Sequence, residues 1–286
     1  MRVPATPRTG RIARGIFAGS FQLWRTVWQH RDITLHMIRR EIAGRYLGSM
    51  LGAAWAIIQP LILLCVFTFA FNVVFRSRWI SPVAAGEETS FAVAMFLGYI
   101  VFNLFSEPVN RAPSLVLGHA NYVKRTIFPL EILPIIAVGS ALFNAAMAFL
   151  VWVVLLILVQ QGVPWTILFL PAIVLPLVLM VIGLALLLAS LGVFVRDLVQ
   201  VMAPATMALL FLSPVFYPVS AVPPHIQAWM YANPLTGIIE EARRVTIFGE
   251  LPDLALLAAN TLFGLAVAHL GYLWFMRTRR GFADVL

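Results

Sequence analysis

The sequence predicts an all-α polytopic membrane protein of about six transmembrane helices, and three observations carry the prediction. Of the 286 residues, 61% are hydrophobic and 11% charged, against roughly 25% charged residues in ordinary soluble domains, so a water-facing surface could not be covered. Uncharged apolar runs recur at the length a span requires, about 20 residues for roughly 30 Å of hydrocarbon. The basic residues fall unevenly between the connections, as the positive-inside bias demands.

Residues 1–45 read as a cytoplasmic tail and interface helix, and residues 46–286 as the six-span domain. The tail carries Arg2, Arg8, Arg11 and Arg14 and has no continuous apolar run of signal-peptide length, so no cleavable signal peptide is expected. Phe17, Phe21, Trp24 and Trp28 then recur at helical spacing, with Gln22, Arg25 and His30 on other faces. That pattern is expected of an amphipathic helix at headgroup depth, where paired tryptophans beside arginines belong, the alternative being a helix packed on its own protein.

Four spans are plain, near Leu47 to Phe75, Ser90 to Phe105, Ile132 to Val159 and Trp165 to Val195. A fifth, Leu198 to Val222, is broken by Pro204, Pro214 and Pro218 and reads in part as re-entrant; a sixth runs from Leu254 to Met276. An even number of spans puts both termini on one side. Nine N-terminal arginines, Arg111, Lys124, Arg125, Arg196, Arg277, Arg279 and Arg280 place 16 of the 20 basic residues on one face. The opposite loops hold Arg76, Arg78, Arg243 and Arg244 beside Glu87, Glu88, Glu240, Glu241, Glu250 and Asp253. Both termini are therefore expected in the cytoplasm.

The net charge of +8 and pI near 10.5 come from a very small set of ionisable groups. No soluble basic domain accompanies them, and a nucleic-acid partner is not expected. The single cysteine, Cys65, lies in an apolar run and cannot build an intrachain disulfide or a thiolate metal site. Residues 132–195 contain no Asp, Glu, Lys, Arg or His, and the other predicted spans contribute only His269. Ion- or proton-coupled transport generally needs an intramembrane carboxylate, lysine or histidine relay, so secondary transport of that kind is disfavoured. A phosphate-binding loop needs glycines ahead of a lysine, and the only lysine, Lys124, stands in NYVKRT without them. ATP, if used, must be hydrolysed elsewhere. There is no HExxH, no GxSxG and no metal-ligand cluster. The polar residues Gln59, Asn72, Asn103, Asn144 and Asn260 are expected to bond neighbouring helices. Gly48 and Gly52 form a GxxxG pattern that reads as helix packing.

REIAGRYLGSMLGAAWAIIQPLILL, from Arg40 to Leu64, runs from a basic interfacial stretch into a span. It resembles the opening of the ABC transporter permeases that export lipid-linked polysaccharides: O-antigen, teichoic acid and capsule. NYVKRTIFPLEILPI from Asn121, SPVFYPVSAVPPHIQ from Ser213 and NPLTGIIEEARRVTIFG from Asn233 agree with that family in order and position. The similarity covers most of the chain beyond residue 20.

The resemblance implies a homodimer with cytoplasmic termini in the bacterial inner membrane, bound to two copies of a separate ATPase that holds the ATP and Mg. No cofactor is then expected in this chain. The segment from Asn110 to Arg125 would be the coupling helix docked in that ATPase, with Asn110, Arg111, His119, Asn121, Tyr122, Lys124 and Arg125 as candidate contacts. From charge alone, the same segment suits a basic loop anchoring its two spans. Residues 219–252, with Pro223, Pro224, Pro234, Ile226, Trp229 and Met230, would form short re-entrant helices at the external exit.

A sugar polymer presents hydroxyls and apolar ring faces on which aromatic side chains can stack. Trp55, Phe67, Phe71, Phe75, Phe211, Phe216 and Tyr217 are the candidate pathway residues, although such a stripe also suits lipid-facing or core positions. Arg39, Arg40 and Arg45 stand where a lipid pyrophosphate would arrive, and arginine favours bidentate phosphate contacts. Positive-inside anchoring accounts for the same three residues. The expected function is a permease subunit moving undecaprenyl-linked polysaccharide, foremost O-antigen. Teichoic acid, capsule, and lipo-oligosaccharide or drug permeases are the alternatives within transport. A transferase acting on lipid-linked sugar would need the outward acids Glu240, Glu241, Glu250 and Asp253 as its chemistry, but pairing with Arg243 and Arg244 is the simpler account of them. A purely structural membrane scaffold also remains compatible with the sequence.

Overall fold

The structure, a computed structural model, describes residues 25–74, 79–80, 88–89, 91–119 and 129–285. The helices are α1 (Arg31–Tyr46), α2 (Trp55–Phe67), α3 (Phe91–Leu115), α4 (Ile132–Gln160) and α5 (Leu170–Phe194), then α6 (Leu198–Leu212), α7 (Pro224–Met230), α8 (Pro234–Thr246), α9 (Leu254–Thr278) and α10 (Phe282–Val285). A two-residue antiparallel pair, β1 (Trp79–Ile80) and β2 (Glu88–Thr89), joins Trp79 to Thr89 and Ile80 to Glu88.

Among the described residues, five helical stretches are long and apolar enough to cross a membrane: Gly52–Phe71, Phe91–Leu115, Ile132–Gln160, Trp165–Phe194 and Leu254–Val285. They match five of the six expected spans. The Leu198–Val222 segment yields only the 15-residue α6, about 22 Å long at 1.5 Å per residue, ending before Ser213 and Pro214. Its shortness is local: proline at 214 cannot continue the hydrogen-bond ladder.

Helix ends follow their capping chemistry. Asn233 accepts the Leu235 N–H at the start of α8, with Pro234 in the first turn. Asp253 caps α9 by accepting from the Ala255 and Leu256 N–H groups. The Gly48 and Gly52 pair is not a helix-packing face. Both residues have positive φ, +87° and +50°, in the turn between α1 and α2, and a Cβ on either would meet nothing within 4 Å. They let the chain turn where other side chains would be strained.

The second long helix is the centre of the bundle. In α3, 83% of the most apolar stretch is buried, against 11% for the first span and 17% for α4. It packs on α4, α5, α6 and α8, and Trp152 of α4, fully buried, donates to the Val93 carbonyl at 2.8 Å. α5 and α9 approach backbone to backbone. A Cβ on Gly183 would collide with the Val267 carbonyl, one on Gly271 with the Gly183 carbonyl, and one on Gly264 with the Pro176 carbonyl. Small residues at such crossings are how membrane helices gain contact when apolar burial gives little preference over lipid. Gly192 of α5 meets Pro113 of α3 in the same way.

Each end of the bundle has a polar tie. At the arginine-rich end Arg279 pairs with buried Glu131 at 2.8 Å, joining the last helix to the start of α4. At the other end Thr166 donates to the Val245 carbonyl at 2.5 Å. α1 lies against α4, where Gly139 leaves room for Ile38. Of the four aromatic residues expected to lie in the interface, Trp28 is 71% exposed, with the Arg31 guanidinium 5.2 Å above its ring. Phe17, Phe21 and Trp24 lie outside the described residues.

Candidate functional site

Tyr99, Asn103, Glu107 and Arg111 follow one another at intervals of four along α3, a polar stripe on one face of the most buried helix. The second span, expected to end at Phe105, extends past Glu107 and Arg111, half of this stripe. α3 continues without interruption to Leu115 and carries a carboxylate and a guanidinium. The spans therefore contain more ionisable chemistry than His269 alone.

Isolated, a carboxylate at the centre of a membrane helix costs about 2.5–3.5 kcal/mol on insertion scales. Glu107 is not isolated. Its Oε1 lies 2.5 Å from Nη2 of Arg45, and the Asn144 amide donates to its two oxygens at 3.1 and 3.0 Å. The Tyr46 hydroxyl donates to the Asn144 carbonyl oxygen at 3.4 Å. Arg45 is also 3.8 Å from Glu41, and Glu41 meets Arg111 at 2.6 Å. Signs alternate along the chain Arg111, Glu41, Arg45, Glu107, so the charge is cancelled locally while α1, α3 and α4 are tied together. Beside it, α2, α3 and α4 enclose an open cleft of about 420 Å³ that Gln59, Asn103, Tyr99 and Phe96 also line.

This arrangement decides what the three proposed phosphate-binding arginines can do. They do not converge. Arg45 is held by two carboxylates; Arg40 lines a cavity of about 400 Å³ with Glu41, Arg111 and His119; Arg39 lines a largely apolar one with Ile42, Leu47 and Phe143. Of the predicted coupling residues, Asn110 accepts from the Thr206 hydroxyl of α6 at 2.9 Å, and Arg111 pairs with Glu41. Both belong to α3 and face other helices of this chain. His119 ends a short 3-10 turn, where its Nδ1 is 2.8 Å from the Leu115 carbonyl. Asn121, Tyr122, Lys124 and Arg125 lie outside the described residues.

Most of the aromatic candidates do meet. Phe216 stands 6.1 Å from Phe67, 5.9 Å from Phe71 and 5.6 Å from Phe211 between ring centroids. Phe91 stacks on Phe71 at 5.1 Å, and Tyr99 meets Phe67 edge-on at 5.5 Å, linking the cluster to the polar cleft. Each such contact adds about 0.5–1.5 kcal/mol beyond burial, so the inner rings are packing as well as surface. Phe211 is exposed, and Tyr217 donates to its carbonyl at 2.8 Å. Trp55 is half-buried at the start of α2, away from the described aromatic contacts; Phe75 lies outside the described residues.

The acids of the α8 region are all engaged. Glu240 pairs with Arg243 at 3.0 Å; Glu241 lies 3.4 Å from Arg244 and accepts the Asp253 N–H at 2.8 Å; Glu250 pairs with Arg244 at 2.9 Å. Burial pushes the Glu241 carboxyl above its usual value, against the opposing pull of the Asp253 N–H and Arg244. Arg243 is wholly buried, which pulls its guanidinium below the usual value while Glu240 opposes. It donates to the carbonyls of Ala94, Pro214 and Val215 at 3.0, 2.7 and 2.9 Å. Gly98 makes the passage possible: a Cβ there would come within 2.6 Å of the Arg243 Nη2. One side chain thus fixes the start of α3 and the break after α6. The pairing with Arg243 and Arg244 expected from the sequence is thus present.

The profile of the ABC-2 type transporter family matches residues 34–247, from α1 through α8. The chain belongs to the ABC-2 type transporter family. This ABC-2 protein is 26% identical over 255 residues to the O-antigen export system permease protein RfbA of Myxococcus xanthus, covering 88% of this chain and 93% of that protein. To the permease of the same name from Klebsiella pneumoniae it is 22% identical over 263 residues, 89% and 95% of the two chains. To the polysialic acid transport protein KpsM of Escherichia coli it is 26% identical over 251 residues, 84% and 90%. The family match embraces the polar cleft, the aromatic cluster and the Arg243 network, so these features belong to the transporter domain itself.

Proposed function

We propose that this ABC-2 protein is the permease subunit of an exporter that carries a lipid-linked polysaccharide, foremost an undecaprenyl-linked O-antigen, out across the bacterial inner membrane. The observation that carries the reading is end-to-end similarity to polysaccharide export permeases, each matched over nine-tenths or more of its length. Two copies of the chain form the pathway, and two copies of a separate ABC ATPase supply the energy, with ATP and Mg on that partner. The arginine-rich end, including the termini, faces the cytoplasm, and the segment 110–125 engages the ATPase. α6 completes a sixth crossing together with the residues after Pro214, and α7 and α8 are re-entrant at the outer face.

Aromatic packing around Phe216 supports a pathway wall that is apolar and ring-rich, with Phe211 offered at its surface. A capsular glycan is the second reading, favoured by the KpsM identity, which equals that to the M. xanthus protein. Deleting the coding sequence tests both. The proposal expects surface polysaccharide to disappear while lipid-linked glycan accumulates at the inner face, with restoration by the wild-type chain. Unchanged surface glycan after deletion contradicts it.

A further inference from the structure

The cleft of about 420 Å³ between α2, α3 and α4 is lined by none of the candidate pathway aromatics and by no residue of the segment 110–125. Its size falls within the roughly 300–1,000 Å³ of small-molecule sites. Its lining is unusual for a membrane bundle. The amides of Gln59 and Asn103 make no hydrogen bond with any described residue, and both line the opening. Gln59 is exposed and Asn103 partly exposed, so both amides are open to polar matter entering the cleft.

The charges define what kind. Arg45 and Glu107 cancel each other at 2.5 Å, and the Asn144 amide is already given to Glu107. The wall therefore offers no excess positive charge for a pyrophosphate and no excess negative charge for a cation. What it offers is donors and acceptors in neutral balance, with the ring of Tyr99 at one side. An uncharged, hydroxyl-rich ligand fits that chemistry.

We propose that this cleft is a glycan subsite, holding an uncharged sugar segment through Gln59 and Asn103 on a floor fixed by the Arg45–Glu107–Asn144 network. The proposal rests on the permease reading and adds a location and a chemical preference to it. Tyr99 touches Phe67 at 5.5 Å, so a sugar leaving the cleft would meet the aromatic cluster next.

A benzophenone side chain placed at Asn103, with a second preparation carrying it at exposed Phe211, tests the assignment in membranes of cells making sugar-labelled lipid-linked glycan. After irradiation, mild acid cleaves the lipid pyrophosphate linkage. Label surviving acid at position 103 shows that the sugar was held there, and is expected several-fold above the unirradiated control. Soluble oligosaccharide from the same glycan is expected to compete for that labelling if sugar alone suffices, whereas no competition means that the lipid anchor delivers it. The pair Gln59→Leu and Asn103→Leu should lower export several-fold with the complex still assembled; Gln59→Leu alone, at the exposed rim, serves if the pair does not fold. Label at Phe211 but none at 103, or normal export by the leucine variants, overturns the glycan subsite and leaves the permease reading standing. Absence of label at both positions, together with export that persists when the chain is deleted, overturns the permease reading and the subsite with it.

Discussion

Glu107 shows how one side chain changes the reading of a span. A carboxylate at the edge of an apolar run looks like the end of the membrane segment, which the sequence puts at Phe105. The helix continues because Arg45, about sixty residues earlier in the chain on α1, neutralises it, a partnership that no local pattern announces. Side-chain exposures of 28% for Arg45 and 16% for Glu107 keep solvent near the pair. The 3–5 kcal/mol typical of breaking a fully buried pair is therefore too large here. Glu107→Leu is expected to cost about 1–3 kcal/mol, read as a lowered unfolding temperature in detergent, and the charge swap R45E with E107R should recover part of it. Additive losses in the double variant would show that the two side chains are not coupled.

Arg243 is the opposite case, since the sequence places it on a helix beside Glu240 but gives no sign that it is buried. Its three backbone acceptors lie on α3 and after α6, more than twenty residues away in each case. Arg243→Met should cost about 3–5 kcal/mol, because three carbonyls and Glu240 lose their donor in a buried site. Arg243→Lys should rescue little, as a single ammonium cannot reproduce the planar fork. Thermal stability of the purified variants decides this, and a lysine variant as stable as wild type would contradict the account.

At the scale of elements, the sequence was most informative where apolar runs are long and unbroken. Ile132–Val159, Trp165–Val195 and Leu254–Met276 correspond closely to α4, α5 with its leading turn, and α9. Proline made the fifth segment harder to place, and the structure gives a short α6 followed by irregular chain for the same physical reason. The Gly48 and Gly52 pattern suggests packing because spacing alone cannot distinguish a helix face from a positive-φ turn. The glycines that do pack, Gly183, Gly264 and Gly271, lie on two helices separated by about sixty residues of chain, and only the fold brings them together. Gly183→Val or Gly271→Val should separate α5 from α9 and cost about 1–3 kcal/mol or more, as overpacking does. Gly118→Ala, with nothing within 4 Å, is the matched control. Limited proteolysis should cut the valine variants faster than the control, and equal rates would contradict close packing of these helices.

For the molecule as a whole, the polytopic class follows from composition, and the family match extends from α1 through α8. The candidate site was only partly legible. Phe67 and Phe71 recur at helical spacing, with Phe211 and Phe216 expected at the same membrane level, and these four do meet, whereas Gln59, Asn103 and Asn144 of the polar cleft read from the sequence as separate helix-bonding residues. Its unity depends on α2, α3 and α4 converging, which is tertiary information. The proposed orientation makes its own prediction: with Cys65→Ser as background, R280C should react with an impermeant thiol reagent only in inverted membrane vesicles, and W229C only in right-side-out ones. The reverse pattern would invert the topology and remove the basis for a cytoplasmic coupling segment.

The central claim is that this chain is half of an ATP-driven machine whose motor is a different polypeptide. Co-expression with a candidate ABC ATPase, followed by purification through a tag on this chain alone, tests that claim most directly. The account predicts a stable complex containing both proteins in equal numbers, with ATP hydrolysis that is lost together with assembly when the segment 110–125 is altered. Recovery of this chain, folded and monodisperse, without the ATPase would contradict it.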